Sequence, residues 1–212
     1  MTMAIVAMGE GMLLLQTAPE LACQQRLWAL EARLRRRHRC CVLGMYSLAV
    51  RFDPLQEARG RVEAMLVREW EKAAPDERAG ARHHRIPVRY GGADGPDLAE
   101  LAALCGLSVP EVIALHAGTP YRVYCLGFLP GFPYLGGLDP RLAAPRRATP
   151  RLRVPAGSVG IGGAQTGIYP QDAPGGWQLI GRSAVPLFNP QHSPAALLQP
   201  GDWLHFEPEA HA

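Results

Sequence analysis

The sequence predicts an α+β protein with two domains, and three observations lead to this prediction. The first 80 residues alternate short apolar runs with two stretches of helical periodicity. The segment Ala73–Arg82 is polar and carries Pro75 and Gly80, which is typical of a linker. The remainder is rich in proline and glycine, with short β-type runs between them. We therefore expect an α+β domain over residues 1–80 and a β domain over residues 83–212.

The N-terminal half predicts the element order β-α-β-β-α. Met12–Leu15 is an apolar run typical of a strand, and Thr17–Glu20 predicts a capped helix start with proline in the first turn. Leucines then recur at helical spacing up to Arg33–Arg39, a basic run expected to be a solvated helix end rather than a site for an acidic partner. Two strands and a second helix are predicted at Cys40–Gly44, at Tyr46–Phe52 and after Asp53 as the helix cap. This order resembles a ferredoxin-like sandwich that lacks or shares one strand.

The C-terminal half predicts a closed or sandwich-like β domain that also contains two short helices. The helices are expected at Asp97–Cys105 and Pro110–Ala117, joined at Gly106. Ser108 and Glu111 are spaced as the capping box of the second helix. Strands are predicted at Ile86–Tyr90, Tyr121–Phe128, Val159–Ile161, Gln178–Arg182 and Trp203–Phe206.

Composition excludes several classes of protein. Hydrophobic residues make up 48% of the 212-residue chain and charged residues 19%, the balance of a globular protein. No apolar run approaches the roughly 20 residues of a membrane span, and Met1–Glu10 lacks the basic start of a secretory signal. The five cysteines form no CxxC pair and no metal-ligand spacing. We expect a cytoplasmic protein with free thiols, no metal ligand set and no membrane partner.

Two motifs resemble known sites without fitting them, so no nucleic-acid partner and no phosphate loop is expected. Ala102, Gly106 and Val112 have helix-turn-helix spacing, but the second helix is acidic and apolar and offers no donors to base edges. The glycines of Gly157–Gly163 lack the lysine of a phosphate loop and the spacing of a dinucleotide fingerprint. They are expected to let backbone approach backbone, or a ligand approach backbone amides. His116 is expected to be a hydrogen-bonded structural residue.

Residues 127–182 combine aromatic side chains with arginines and few acids. Aromatic walls with arginine forks suit a ligand that carries carboxylate or phosphate, whereas the plain alternative is that the arginines solvate a proline-rich loop. Gln165 and Thr166 add neutral groups suited to an amide or lactam. The side chains concerned are Phe128, Phe132, Tyr134, Tyr169 and Trp177 with Arg141, Arg146, Arg147, Arg151, Arg153 and Arg182.

The same stretch carries a resemblance to a known family. The segment from Tyr121 to Leu138, which contains Gly-Phe-Leu-Pro-Gly-Phe-Pro-Tyr, is similar to the signature of a family that comprises the 5-oxoprolinase B subunit, allophanate hydrolase subunit 1 and a sporulation histidine-kinase inhibitor. The similarity extends over Ile86–Gly92, Pro145–Ile161, Gln165–Pro170 and Pro174–Arg182. The N-terminal half matches only in short pieces, and Gly9-Glu10 stands where the family usually has Gly-Asp.

The resemblance implies a fold, a reaction and partners. It implies a small α+β domain followed by a cyclophilin-like β-barrel, with the C subunit of 5-oxoprolinase as direct partner and the A subunit as the third protein. Together these use ATP, shared with the complex, to open 5-oxo-L-proline to L-glutamate, so little activity is expected of this chain alone. We expect Arg151 and Gln165 to be catalytic, because they suit an anion and a lactam. Substrate or nucleotide binding is expected of Tyr134, Arg147, Arg153, Thr166 and Arg182.

Two other functions share these motifs and stay open at this point. One is a regulatory protein that inhibits a histidine kinase through the C-terminal barrel. The other is subunit 1 of an allophanate or urea amidohydrolase system. The sequence motifs are common to all three functions and do not separate them.

Overall fold

Two units make up the structure, a computed structural model that describes residues 3–76 and 81–209. The units are Met1–Ala81 and Arg82–Ala212. Part of the predicted linker, residues 77–80, lies outside the described residues. Within the described ranges no single helix is long and apolar enough to cross a membrane.

The N-terminal unit is a four-stranded antiparallel sheet with two helices. Its elements are β1 (Met3–Ala7), β2 (Met12–Thr17), α1 (Leu21–Arg35), β3 (Cys41–Gly44), β4 (Ser47–Arg51) and α2 (Arg59–Lys72). The strand order is β1-β2-β4-β3. The predicted elements β2 to α2 are present, and β1, which the sequence analysis missed, forms the fourth strand at the edge beside β2. The chain thus supplies from its N-terminal side the strand that the predicted sandwich lacked.

Both predicted helix starts in this unit are wrong. Helix α1 begins at Leu21 without a side-chain cap, while the Thr17 hydroxyl donates to the Tyr46 carbonyl and so joins two loops of the sheet. Helix α2 begins at Arg59, because the Asp53 carboxylate accepts the Leu55 N–H in a local turn ahead of it. Capping residues that find partners in turns do not start the helix.

The basic run at the end of α1 is only partly solvated. Arg33 and Arg37 pair with Glu69 on α2 at 2.8 and 3.1 Å, and Arg39 pairs with Glu57 at 2.7 Å. The run therefore joins the two helices of this unit through ion pairs.

The C-terminal unit is a closed seven-stranded barrel, which confirms the predicted α+β class with a closed β domain. The barrel strands follow the order β10-β7-β6-β13-β5-β12-β9, and β8 and β11 pair as a separate two-stranded sheet. Strand bounds are β5 (His83–Tyr90), β6 (Tyr121–Leu126), β7 (Pro133–Gly136), β8 (Arg151–Val154), β9 (Ser158–Gly162), β10 (Gln165–Ile168), β11 (Ala173–Gly175), β12 (Gln178–Arg182) and β13 (Trp203–Pro208).

Two helices connect β5 to β6, α3 (Leu98–Cys105) and α4 (Val109–Gly118). The predicted joint is confirmed, since Gly106 ends α3 in the left-handed conformation at φ 66°. The predicted capping box is also confirmed, with Ser108 and Glu111 each bonding to the other's backbone N–H.

Candidate functional site

An aromatic cluster stands on the outer face of the barrel strands β9 and β10. Phe132, which is 2% exposed, makes edge-to-face contacts with the rings of four neighbours at centroid distances of 5.2 to 5.6 Å. The neighbours are Phe128, Tyr134, Tyr169 and Trp177. All five aromatic residues singled out in the sequence therefore belong to one cluster.

The glycines around this cluster are explained by ring packing. A Cβ on Gly162 would lie 2.5 Å from the Trp177 indole, and one on Gly175 would overlap the Tyr169 hydroxyl. Gly157 instead lies against the Ser183 carbonyl, which a Cβ at that position would overlap. The glycines of this segment thus allow aromatic rings and backbone to pack closely against it, and the segment does not form a phosphate-binding loop.

A cleft of about 130 Å³ opens between these rings. Its walls are Phe128, Phe132, Tyr134, Tyr169 and Trp177, with Arg146, Pro174, Gly175 and Gly176. Phe128 is 58% exposed and has φ 65°, a left-handed conformation that is costly for a bulky residue. An exposed ring held in such a conformation at the mouth of a cleft indicates a binding role rather than a role in the core.

Arg146 is the cation of this cleft. Its guanidinium lies 6.0 Å from the Trp177 ring centroid, and among the described residues no carboxylate pairs with it. Burial raises the pKa of Tyr134 and Tyr169, while the charge of Arg146 acts in the opposite direction on both. Both hydroxyls therefore stay protonated at neutral pH, and the cleft offers hydrogen-bond donors beside a positive charge.

Two of the predicted anion-binding arginines meet a buried carboxylate of this chain. Asp97, which is 3% exposed, accepts from Arg147 Nη1 at 3.0 Å and from Arg151 Nη2 at 2.6 Å. Its second oxygen accepts the Leu179 N–H at 2.7 Å. Asp97 thus fixes the loop before β8 to the barrel strand β12. The sequence analysis missed this role, because Asp97 precedes the arginines by about fifty residues.

The other two predicted arginines, exposed Arg153 on β8 and half-buried Arg182 on β12, bond to other groups of this chain. Arg153 pairs with Asp172 at 2.6 Å, and both side chains are exposed. Arg182 donates from Nε to the Ala156 carbonyl at 2.8 Å. Neither residue lines the cleft.

Gln165 and Thr166 lie on opposite faces of β10. Strand alternation places Thr166 inside the barrel, where it is fully buried and donates to the Gly160 carbonyl at 3.0 Å. Gln165 is half-buried and stands directly opposite Gly162, on the face that carries Trp177. One lactam cannot contact both side chains, so Gln165 alone of this pair is placed near the aromatic cluster.

His116 forms a closed hydrogen-bond network in the barrel interior. Since the Thr166 hydroxyl donates elsewhere, it accepts from His116 Nε2 at 2.9 Å, and His116 Nδ1 accepts from the Tyr90 hydroxyl at 2.7 Å. Burial lowers the pKa of His116 to about 3. The prediction of a hydrogen-bonded structural histidine is confirmed.

Two larger clefts each contain an arginine that is already paired, and the second also has the exposed Arg51 in its lining. A groove of about 790 Å³ follows residues 185–197, and its Arg82 bonds to Asp202. A cleft of about 690 Å³ in the N-terminal unit contains Arg39, which is held by Glu57. Within residues 3–76 and 81–209, no group of three or more metal-ligating side chains is placed to hold a metal ion.

Comparison with known proteins identifies the relatives of this chain. Residues 3–198 match the family model described as carboxyltransferase domain, subdomain C and D. The 5-oxoprolinase B subunit of Escherichia coli O157:H7 is 48% identical over 95% of this chain and 94% of its own length. The 5-oxoprolinase B subunit of Haemophilus influenzae is 43% identical over 96% of this chain and 97% of its own length.

Solved structures show the same fold within longer chains. The crystal structure of TTHA0988 has a TM-score of 0.78 and 40% identity over 95% of this chain, which spans 40% of that longer chain. The urea amidolyase of K. lactis has a TM-score of 0.82 over 98% of this chain and 15% of its own, but at 20% identity it shows the fold alone. With the family model and the near full-length relatives in agreement, this chain belongs to the 5-oxoprolinase B-subunit family of carboxyltransferase subdomains C and D.

Proposed function

We propose that this chain acts as the B subunit of an ATP-dependent 5-oxoprolinase, which opens 5-oxo-L-proline to L-glutamate together with its A and C subunits. The observation that carries the proposal is the 43–48% identity, over nearly the whole chain, to proteins named as the B subunit of 5-oxoprolinase. We place the complex in the cytoplasm, in keeping with five free cysteines.

The reaction needs an activated amide and a site that holds the ring. A lactam carbonyl is a poor electrophile, so transfer of the ATP γ-phosphoryl group to the amide oxygen, with ADP leaving, makes the ring carbon reactive. Water then forms the new C–O bond at that carbon, the ring C–N bond breaks, and the nitrogen takes a proton. A second water releases phosphate and leaves the glutamate side-chain carboxylate. Positioning and charge stabilisation are the contributions a protein makes to such a transfer.

This chain contributes ring binding rather than nucleotide binding in our proposal. Tyr134 forms one wall of the aromatic cleft. Gln165, on the face of β10 that carries Trp177, is suited to the amide group. Arg147 and Arg151, held by Asp97, fix the loop that carries Arg146, while Arg153 and Arg182 are bonded to Asp172 and to the Ala156 carbonyl and receive no ligand role in this proposal.

The cleft does not fit ATP. Its volume of about 130 Å³ is below the roughly 300–1,000 Å³ of pockets that hold drug-sized ligands. The glycine-rich segment is filled by the Trp177 ring and the Ser183 carbonyl, so it offers no phosphate cradle. We therefore assign most nucleotide contacts to the partner proteins of the complex.

The test is reconstitution by omission. We expect ATP-dependent glutamate formation from 5-oxo-L-proline when this chain is mixed with the A and C subunits, and at least about a hundredfold loss when it is left out. Co-purification of the tagged C subunit with this chain tests the direct contact. Turnover at the full rate without this chain would remove the proposed function, and binding to a histidine kinase would then be measured next.

A further inference from the structure

We infer that the aromatic cleft at Arg146 is the binding site for the ring and carboxylate of a small cyclic amide acid, with Arg146 as the carboxylate-binding residue. The inference deepens the proposed function and rests on it for the identity of that acid as 5-oxo-L-proline.

The size and walls of the cleft select the ligand class. The cleft has a volume of about 130 Å³, which suits a single small ring with its substituent rather than a drug-sized ligand. Phe132, Tyr169 and Trp177 are at least 95% buried and held by mutual edge-to-face contacts. A compact, partly apolar ring gains from such preformed aromatic walls.

The charge of the cleft selects an anion. Arg146 is exposed and has no carboxylate partner among the described residues, whereas Arg147 and Arg151 are held by Asp97. Arg146 lines the cleft, and its guanidinium lies 6.0 Å from the Trp177 ring centroid. A planar guanidinium binds a carboxylate through two parallel hydrogen bonds, which suits a monocarboxylic acid.

The neutral donors of the cleft select an amide. Tyr134 and Tyr169 keep their protons at neutral pH because burial raises the pKa of each hydroxyl. A protonated phenol donates to a lactam carbonyl oxygen. Ring, carboxylate and amide oxygen therefore each meet a matching group within one cleft.

Phe128 covers the mouth of this site. Its ring stands edge-on to Phe132 and Tyr169 at centroid distances of 5.5 and 6.3 Å, yet the side chain is 58% exposed. An exposed aromatic ring beside a preformed cleft gains buried area when a ligand enters. Phe128 thus adds to ligand affinity without holding the fold.

The first experiment measures binding of 5-oxo-L-proline to the full chain by NMR titration. We expect saturable binding that Arg146→Ala weakens by at least about tenfold, since a charge-assisted bond to a carboxylate is lost. The control is Arg85→Ala, which removes an arginine with 80% side-chain exposure from a surface pair with Glu207 and should leave affinity unchanged. Pyrrolidin-2-one lacks the carboxylate, so it should bind weakly to the unaltered chain and equally weakly to Arg146→Ala.

The second experiment uses the complex with the A and C subunits. Arg146→Ala should raise KM for 5-oxo-L-proline about tenfold and leave KM for ATP unchanged, and Phe128→Ala should raise the first KM by a smaller factor. The inference is overturned if Arg146→Ala leaves both the binding constant and the KM for 5-oxo-L-proline unaltered, or if it raises KM for ATP instead. Failure of the proposed function would give a different result, namely full turnover by the A and C subunits without this chain. The binding titration on this chain alone would still decide the role of Arg146 in that case.

Discussion

The carboxylate of Asp97 joins the loop before β8 to the barrel through ion pairs, in addition to the Gln178 side-chain bond to the Pro145 carbonyl, and its charge is open to a direct test. Asp97→Asn keeps the shape of the side chain and one acceptor for the Leu179 N–H. It removes the negative charge shared by Arg147 and Arg151, and its amide N–H₂ then faces a guanidinium N–H. Because Asp97 is 3% exposed, water cannot replace the lost charge.

The expected loss of stability follows from the burial of the three partners. Breaking a buried ion pair by removing one partner costs about 3–5 kcal/mol. The arginine side chains here are 31% and 25% exposed, which lowers the expected cost to about 2–4 kcal/mol. Arg147 Nε and Arg151 Nη1 are buried without a hydrogen-bond partner in the described part of the chain. Glu100 lies 3.6 Å from Arg147, but its side chain is 62% exposed, so it compensates little for the loss of the Asp97 charge.

Urea denaturation of the full chain, followed by circular dichroism and tryptophan fluorescence, measures this loss. The matched control is Asp94→Asn, which removes the same group from a more exposed pair with Arg89 at 2.8 Å and should cost below about 1 kcal/mol. A loss for Asp97→Asn no greater than that of Asp94→Asn would refute the conclusion that the Asp97 charge stabilises the contact between loop and barrel.

Three further predictions concern the packing, the protonation and the thiols of the chain. Gly162→Ala should lower the free energy of unfolding by about 1–3 kcal/mol, since the added Cβ would meet the Trp177 ring. The control is Gly60→Ala on α2, where the added Cβ meets open space and should stabilise the chain by up to about 1 kcal/mol. The folded-state pKa of His116 is about 3, below the ordinary value of about 6.5. The free energy of unfolding should therefore be unaffected by His116 above pH 6.5 and fall by about 2 kcal/mol from pH 6.5 to pH 5. A His116→Gln variant whose free energy of unfolding falls just as steeply over this pH range would contradict this prediction. In thiol titration of the native chain Cys40 should react first, because its side chain is exposed, and a buried thiol reacting earlier would count against the fold.

Local signals in the sequence predicted local structure well. The capping box at Ser108 and the left-handed Gly106 lie within a few residues of the helices they delimit, so their spacing alone identified α4 and the end of α3. The missed strand β1 is only five residues long, and its pairing with β2 is what gives it a place in the sheet. The failed cap at Asp53 has the right residue type, but a turn takes its carboxylate first.

Long-range contacts are the part that the sequence did not reveal. Thr166 and Gln165 are adjacent in sequence and similar in chemistry, yet the alternation of the strand turns one into the barrel and the other outward. Asp97 acquires its role through a contact with arginines about fifty residues away. No spacing rule connects residues at that distance, so only the fold shows which arginines already have a carboxylate.

The adjacent residues Arg146 and Arg147 separate ligand binding from folding, and this separation gives the most discriminating test. Arg147 pairs with buried Asp97, so Arg147→Ala should cost about 2–3 kcal/mol in unfolding free energy. Arg146 has no carboxylate partner among the described residues and is exposed, so Arg146→Ala should change the unfolding free energy by no more than about 0.5 kcal/mol while weakening binding of 5-oxo-L-proline. The free energy of unfolding and the affinity for 5-oxo-L-proline should be measured for both variants. An equal loss of stability in the two would show that Arg146 stabilises the fold rather than binding the ligand. The same reasoning applies to Arg151: since it also holds Asp97, loss of turnover in Arg151→Ala indicates a chemical role only if its unfolding free energy is measured alongside.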